Sequence, residues 1–252
     1  IKNIKLLRNC INVLDVKFNF KKVFDKINHN SSKYIENCFS LGLDIVKNGK
    51  AKALINGPIS KKQFLKKKYP GITEYVARKS GKKSHEVMLI YNNKLAVSPV
   101  TTHLPLQDVK KNITSIKIIN NVTTINSFFI NKLKKKPRFA ITGLNPHCET
   151  VKIFSEEKRI ILPAIKKLKK KNINISGPFP ADTIFLKKNI NKFDVVIGMY
   201  HDQVLTPIKT LYGFKAINVT LGLPFIRITP DHGPNNSMLG KNKSDPRSLI
   251  EA

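Results

Sequence analysis

The sequence predicts an α/β fold with a largely parallel sheet, on three observations. Short apolar runs of strand length alternate with longer amphipathic stretches, the pattern of parallel strands joined by helical crossovers. Three of those runs lead directly into a histidine, at His103, His147 and His201, and open α/β sheets collect ligand sites outside the carboxyl ends of their strands. At 252 residues, the chain is long enough to bury the core of one large or two modest α/β domains.

Taken in order, residues 31 to 48 carry a helical apolar stripe of Tyr34, Ile35, Cys38, Leu41 and Ile45, with Ser32 as candidate N-cap. AKALING reads as a strand stopped by Gly57 and Pro58, and residues 61 to 81 as helix, turn and helix. LAVSPV is the next strand. A helix begins at HLPLQDVKKNIT, and another covers residues 119 to 136 and ends at Pro137. The strand RFAITGL precedes a helix opened by Ser155, with Glu156 and Glu157 at the positive end of its dipole. Residues 172 to 189 read as strand, turn and short helix, and FDVVIGMY as a strand. Two extended segments flank a turn in KAINVTLGLPFIRITPDHG, and the tail starts a helix.

The formal net charge of +30 invites a nucleic-acid reading. Against it, lysine outnumbers arginine many-fold, and the lysines fall in scattered runs such as Lys66 to Lys68, Lys82–Lys83 and Lys134 to Lys136, without interleaved aromatics. Solvated surface charge is the expectation, with Ile and Asn inflated alongside Lys as in an AT-rich genome. No apolar stretch reaches the length of a membrane span. The opening lacks the arrangement of a secretory signal, so a cytoplasmic protein is expected. Cys10, Cys38 and Cys148 follow no CxxC spacing, which argues against a disulfide framework and a thiolate zinc site. The chain begins at Ile rather than Met, so an incomplete N-terminus is expected.

His103, His147 and His201 form a candidate triad for a divalent cation with an open position for substrate. Asp202 and Asp182 are carboxylates that could ligate the cation or orient an imidazole. His29 and His85 sit among polar neighbours and read as solvated, and His232 does not share the strand-end context. Arg227 lies inside the apolar run LGLPFIRI, so either an internal ion pair or an anionic ligand is expected. Lys209 follows His201 by eight residues and supplies a second positive charge.

INGPISK, TTHLPL, GLNPH, GPFPADTIF, GMYHDQ, INVTLGLPFIR and DHG occur here in the order seen in the bacterial 4-hydroxythreonine-4-phosphate dehydrogenases of vitamin B6 synthesis. The resemblance runs from about Ala51 onward. It implies two α/β/α domains of the isocitrate and isopropylmalate dehydrogenase kind. The cofactor-side domain would comprise residues 1–68, N-terminally incomplete, and 211–252. A central metal, substrate and dimerisation domain would comprise 69–210. It also implies a homodimer with the active site at the interface and a small phosphorylated amino-acid substrate. Nucleic acid is not the expected partner.

By the same resemblance, His103, His147 and His201 hold Zn²⁺, Mg²⁺, Co²⁺ or Mn²⁺, with His201 contributed by the partner subunit. Thr73, Lys209, Asn218 and Arg227 contact substrate, and Asp182 is the proton acceptor or an orienting acid. His232 and Gly233 lie in a loop on the NAD side. The implied reaction is NAD-dependent oxidation of 4-(phosphooxy)-threonine to a β-keto acid that decarboxylates.

Three departures stand beside the resemblance. The family's Gly-His-Thr-Glu is Gly71-Ile72-Thr73-Glu74, which removes a polar substrate contact. Its His-Asp-Gln-Gly is His201-Asp202-Gln203-Val204, with a β-branched residue that resists positive φ. The glycine-rich turn after the first strand is absent. These leave open a reduced-activity enzyme, a truncated chain or a decaying gene product, and the intact triad argues against complete decay. The rival functions are a related metal-dependent dehydrogenase of another hydroxy acid and a non-catalytic basic remnant.

Overall fold

A computed structural model describes residues 6–20, 22–24, 28, 30–65, 68–81, 86–149 and 155–252. The chain begins with α1 (Ser31–Lys47), β1 (Ala53–Ile55), α2 (Lys61–Leu65), α3 (Ile72–Lys79), β2 (Val87–Tyr91) and β3 (Ala96–Thr101). There follow α4 (Leu106–Asn112), α5 (Ser115–Asn131), β4 (Phe139–Thr142), α6 (Leu162–Lys170), β5 (Ile175–Phe179), α7 (Ala181–Ile184) and α8 (Lys187–Ile190). Then come β6 (Val195–Tyr200), α9 (His201–Tyr212), β7 (Ile217–Leu221), β8 (Ile226–Pro230) and α10 (Arg247–Glu251).

The eight strands form one sheet in the order β1-β8-β7-β2-β3-β6-β4-β5. The pairings β3–β6, β6–β4 and β4–β5 are parallel, as is β1–β8. The pairings β8–β7, β7–β2 and β2–β3 are antiparallel. The predicted α/β class holds, with an antiparallel centre between two parallel parts.

β6 shows why its sequence is apolar throughout. Val195, Ile197 and Met199 pack with Ile118 of α5 and Ile165 of α6 on one face. Val196 packs with Val204 and Ile208 of α9 on the other. A parallel strand covered on both faces has no solvent side to mark with polar residues. A third cluster joins α1, α2 and α3 through Phe39, Leu43, Leu65, Ile72, Tyr75 and Val76, closed by Phe225.

Several local expectations are corrected. Asn30, not Ser32, is the N-cap of α1, and Ser32 Oγ donates to the Gln63 carbonyl at 3.1 Å. Helix α5 ends at Asn131, well before Pro137, and Lys134 beyond it takes a φ of 55°. Its N-cap Thr114 accepts from the Lys117 amide. Ser155 does accept from the Lys158 amide at 3.2 Å. Glu157, however, is buried and accepts from the amides of Leu144 and Asn145, both at 2.9 Å, so it ties down the loop after β4. Strand β2 and helix α9 have no counterpart in the sequence reading. His29, His85, Lys66, Lys67, Lys82 and Lys83 lie outside the described residues. Among the described residues, no helix is long and apolar enough to cross a membrane.

Candidate active site

β3, β6 and β4 are adjacent and parallel, so their carboxyl ends open on one edge of the sheet. His103 lies just past β3, His201 is the first residue of α9 after β6, and His147 sits in a turn of 3-10 helix after β4. Thr101 Oγ1 donates to the Met199 carbonyl at 2.7 Å, tying the ends of β3 and β6. The Gln203 amide ties β6 to β4. Its Oε1 accepts from the Met199 amide at 2.7 Å and Thr142 Oγ1 at 2.8 Å, and its Nε2 donates to the Gly143 carbonyl at 2.8 Å.

The rings of His103 and His201 are 5.7 Å apart, tilted by 41°. Each Nδ1 faces a carboxylate: Glu74 Oε1 at 3.2 Å from His103, and Asp202 Oδ1 at 2.6 Å from His201. Burial pushes the Glu74 carboxyl up, but its contacts with His103 and Thr102 bring it below the usual carboxylate range. An imidazole engaged through Nδ1 keeps Nε2 for a cation, and such carboxylate partners orient histidine ligands.

His147 stands apart from this pair. Its side chain is 74% exposed, and its Nδ1 is 4.0 Å from Asp182 Oδ2, itself on a side chain 58% exposed. His147 and Cys148 have φ of 55° and 61°, an arrangement that non-glycine residues rarely adopt. No group of three or more His, Cys, Asp or Glu among the described residues is placed to hold a metal. Within one chain, His201 lies beside His103, and His147 is apart from both. The pair with its two carboxylates fits a divalent cation that draws at least one more ligand from elsewhere.

A cleft of about 280 Å³ opens beside the pair, at the small end for a ligand site. Thr73, His103, His201, Lys209, Asn218, Arg227, His232 and Gly233 line it, whereas His147 and Asp182 do not. Arg227 is 1% exposed. Its Nε and Nη2 donate to Asn56 Oδ1 at 3.0 and 2.9 Å, and its Nη1 donates to Thr73 Oγ1 and Thr220 Oγ1 at 3.0 and 2.9 Å. No carboxylate among the described residues pairs with it, so of the two expectations the internal ion pair is absent. Burial pulls the guanidinium down to about 10, opposed by the charge of Glu74.

Lys209 Nζ is 2.8 Å from Asp231 Oδ2 and also donates to the Asp231 carbonyl. His232 Nδ1 is 2.9 Å from the Gly233 carbonyl. Asn218 Oδ1 is buried without a hydrogen-bond partner among the described residues.

Asn56 and Lys61, which line the cleft, and Glu74, which faces His103, are residues that the sequence patterns did not single out. The motifs INGPISK and Gly71-Ile72-Thr73-Glu74 contained them, but their pairing across the chain is visible only in the fold. Ile72 lines the cleft and packs into the third core cluster. The expected strain at Val204 is absent. Val204 lies in the first turns of α9, where no positive φ is required, and fills space beside Gly198.

The family model described as "Pyridoxal phosphate biosynthetic protein PdxA" matches residues 2–252. A 4-hydroxythreonine-4-phosphate dehydrogenase from Sulfurihydrogenibium sp. (strain YO3AOP1) is 44% identical over 246 residues, covering 96% of this chain and 74% of that protein. One from Bradyrhizobium diazoefficiens is 41% identical over 214 residues, covering 82% of this chain and 62% of that protein. The chain thus spans 62% to 74% of the length of these relatives. The solved structure of a putative 4-hydroxythreonine-4-phosphate dehydrogenase from Salmonella typhimurium superposes with a TM-score of 0.76 at 31% identity, over 89% of this chain and 69% of that one. Isocitrate dehydrogenase from Methylococcus capsulatus shares the fold, with a TM-score of 0.51 at 11% identity over 82% of this chain and 67% of that one.

Proposed function

The chain belongs to the PdxA family of pyridoxal phosphate biosynthetic proteins, and on that premise we propose that it is an NAD- and divalent-metal-dependent 4-hydroxythreonine-4-phosphate dehydrogenase. The observation that carries this reading is the convergence, in one small cleft, of the His103–His201 pair and the buried guanidinium of Arg227. The first suits a cation, and the second needs an anion.

The substrate 4-(phosphooxy)-L-threonine loses a hydride from C3 and a proton from its C3 hydroxyl. The resulting β-keto acid releases carbon dioxide and takes up a proton, giving 3-amino-1-hydroxyacetone phosphate. Arg227 and Lys209 draw the substrate's anionic groups into the cleft, with Thr73 adding a hydroxyl. Asn218 offers Oδ1 to a substrate N–H. Lys61, exposed at the cleft and without a partner among the described residues, adds long-range attraction for an anion.

His103 and His201 hold the cation, Zn²⁺, Mg²⁺, Co²⁺ or Mn²⁺, and His232 with Gly233 borders the NAD side. When bound, the nicotinamide supplies a hydride acceptor and the cation a Lewis acid for negative charge on the C3 oxygen.

His147 and Asp182, paired with each other and exposed, complete the site of a second copy in a homodimer, with Asp182 as proton acceptor. We assign residues 1–68 and 211–252 to the cofactor side and 69–210 to the metal, substrate and dimer side.

The test is NADH formation from 4-(phosphooxy)-L-threonine with and without a chelator. Turnover that chelation abolishes and added metal restores is expected. Turnover indifferent to the chelator contradicts the metal assignment, and no NADH at saturating metal contradicts the dehydrogenase reading.

A further inference from the structure

The first turn of α3 presents two consecutive polar residues to two different cleft-lining side chains, Arg227 and His103. Thr73 Oγ1 accepts from Arg227 Nη1 at 3.0 Å. Glu74 Oε1 accepts from Thr102 Oγ1 at 3.3 Å and faces His103 Nδ1 at 3.2 Å. The Glu74 side chain is only 19% exposed, and its Oε2 is buried without a hydrogen-bond partner among the described residues.

Room for this carboxylate depends on Gly71. A Cβ there would come within 2.6 Å of Glu74 Oε2 and 3.0 Å of His103 Cε1. Backbone without a side chain is therefore what lets the carboxylate and the imidazole pack together. Gly71 has extended φ and ψ of −155° and 176°, so close approach, not backbone conformation, explains the glycine.

We propose that Glu74 is a positioning residue for the cation site. It fixes the His103 ring with its proton on Nδ1 and so leaves Nε2 as the ligand atom. Its neighbour Thr73 accepts from the buried Arg227 at 3.0 Å, so one helical turn links the cation-holding and anion-holding parts of the cleft. The inference rests on the reading of His103 as a cation ligand.

The experiment measures Co²⁺ affinity of the whole protein by calorimetry and by the visible spectrum of the bound ion, alongside the melting temperature. For Glu74→Gln, which is isosteric but can present an N–H to Nδ1, Co²⁺ affinity should fall about 10- to 100-fold. The spectrum should change and melting should move little. Glu74→Asp should recover part of the affinity, and Gly71→Ala should reproduce the loss by pushing the carboxylate away. Should Glu74→Gln not fold, Gly71→Ala and Glu74→Asp carry the same comparison.

Wild-type affinity and spectrum in Glu74→Gln overturn the inference while leaving the metal reading intact. A wild-type protein that takes up no Co²⁺ overturns both. A KM for substrate that rises while Co²⁺ affinity stays unchanged also overturns it, because Glu74 would then act only through Arg227.

Discussion

Asn56 Oδ1 accepts from both Nε and Nη2 of Arg227, at 3.0 and 2.9 Å. A neutral amide, not a carboxylate, therefore closes the guanidinium fork, and no carboxylate among the described residues is hydrogen-bonded to the positive charge beside the cleft. Lysine at position 227 would keep the charge but lose the fork that Asn56, Thr73 and Thr220 hold in place. We expect Arg227→Lys to weaken substrate binding by about 1.5–3 kcal/mol, roughly 10- to 100-fold in KM, the worth of hydrogen bonds to a charged group. Steady-state kinetics check this, and an unchanged KM rules out Arg227 as the anion contact.

Ile72 stands where the resemblance implies a histidine, yet here it packs with Phe39, Tyr75 and Val76. Restoring histidine sets two effects against each other. An imidazole buried in that cluster costs stability, whereas its edge on the cleft gains a polar contact. Ile72→His should lower both the melting temperature and the KM for the phosphorylated substrate. A KM that stays put means that the cleft has compensated for the missing contact.

Gly198 on β6 leaves the space that Val204 occupies, since a Cβ at 198 would come within 2.4 Å of Val204 Cγ1. Gly198→Ala should destabilise the fold by about 1–3 kcal/mol, the usual cost of overpacking. Adding Val204→Gly should recover part of that loss. A double-mutant cycle from denaturant melts checks the coupling, and strictly additive effects would show that the two positions do not share the space.

Asp194 lies at the start of β6 and accepts from Arg138 and from Lys135, the latter at 2.7 Å. Burial pushes this carboxyl up, but these hydrogen bonds more than reverse it, holding it down to about 2. A carboxyl depressed in the folded state contributes stability above its unfolded value near 4 that disappears as pH falls toward 2. Asp194→Asn should therefore melt below wild type at neutral pH, with the gap closing between about pH 4 and pH 2. A gap independent of pH in that window contradicts this account of the ion pairs.

Much of this architecture was legible from residue patterns because β3, β4 and β6 are covered on both faces and read as largely apolar runs, with Ser98 of β3 buried among them. The same logic placed the three histidines at one sheet edge. Strand β2, although VMLIY is as apolar as its neighbours, breaks the alternation of strand and helix, because it runs directly into β3 and pairs antiparallel on both sides. Helix α9 escaped because it starts on the last residue of a motif read as strand end and carries Pro207 inside it. The cleft was less legible than the sheet. Glu74 and His103 are 29 positions apart and Asn56 and Arg227 are 171 apart, so their partnerships arise only when the strands assemble. The burial of Arg227 was predictable from LGLPFIRI, whereas its neutral partners were not.

In the proposed composite site, His103 and His201 of one copy work with His147 of another. Co-expression of His103→Ala and His147→Ala chains tests it most directly, by NADH formation from 4-(phosphooxy)-L-threonine. Each variant alone should be inactive. Random pairing makes half of the dimers mixed, each with one intact site of two, so about a quarter of wild-type activity should return. A co-expressed preparation as inactive as its parents would contradict a site shared between subunits.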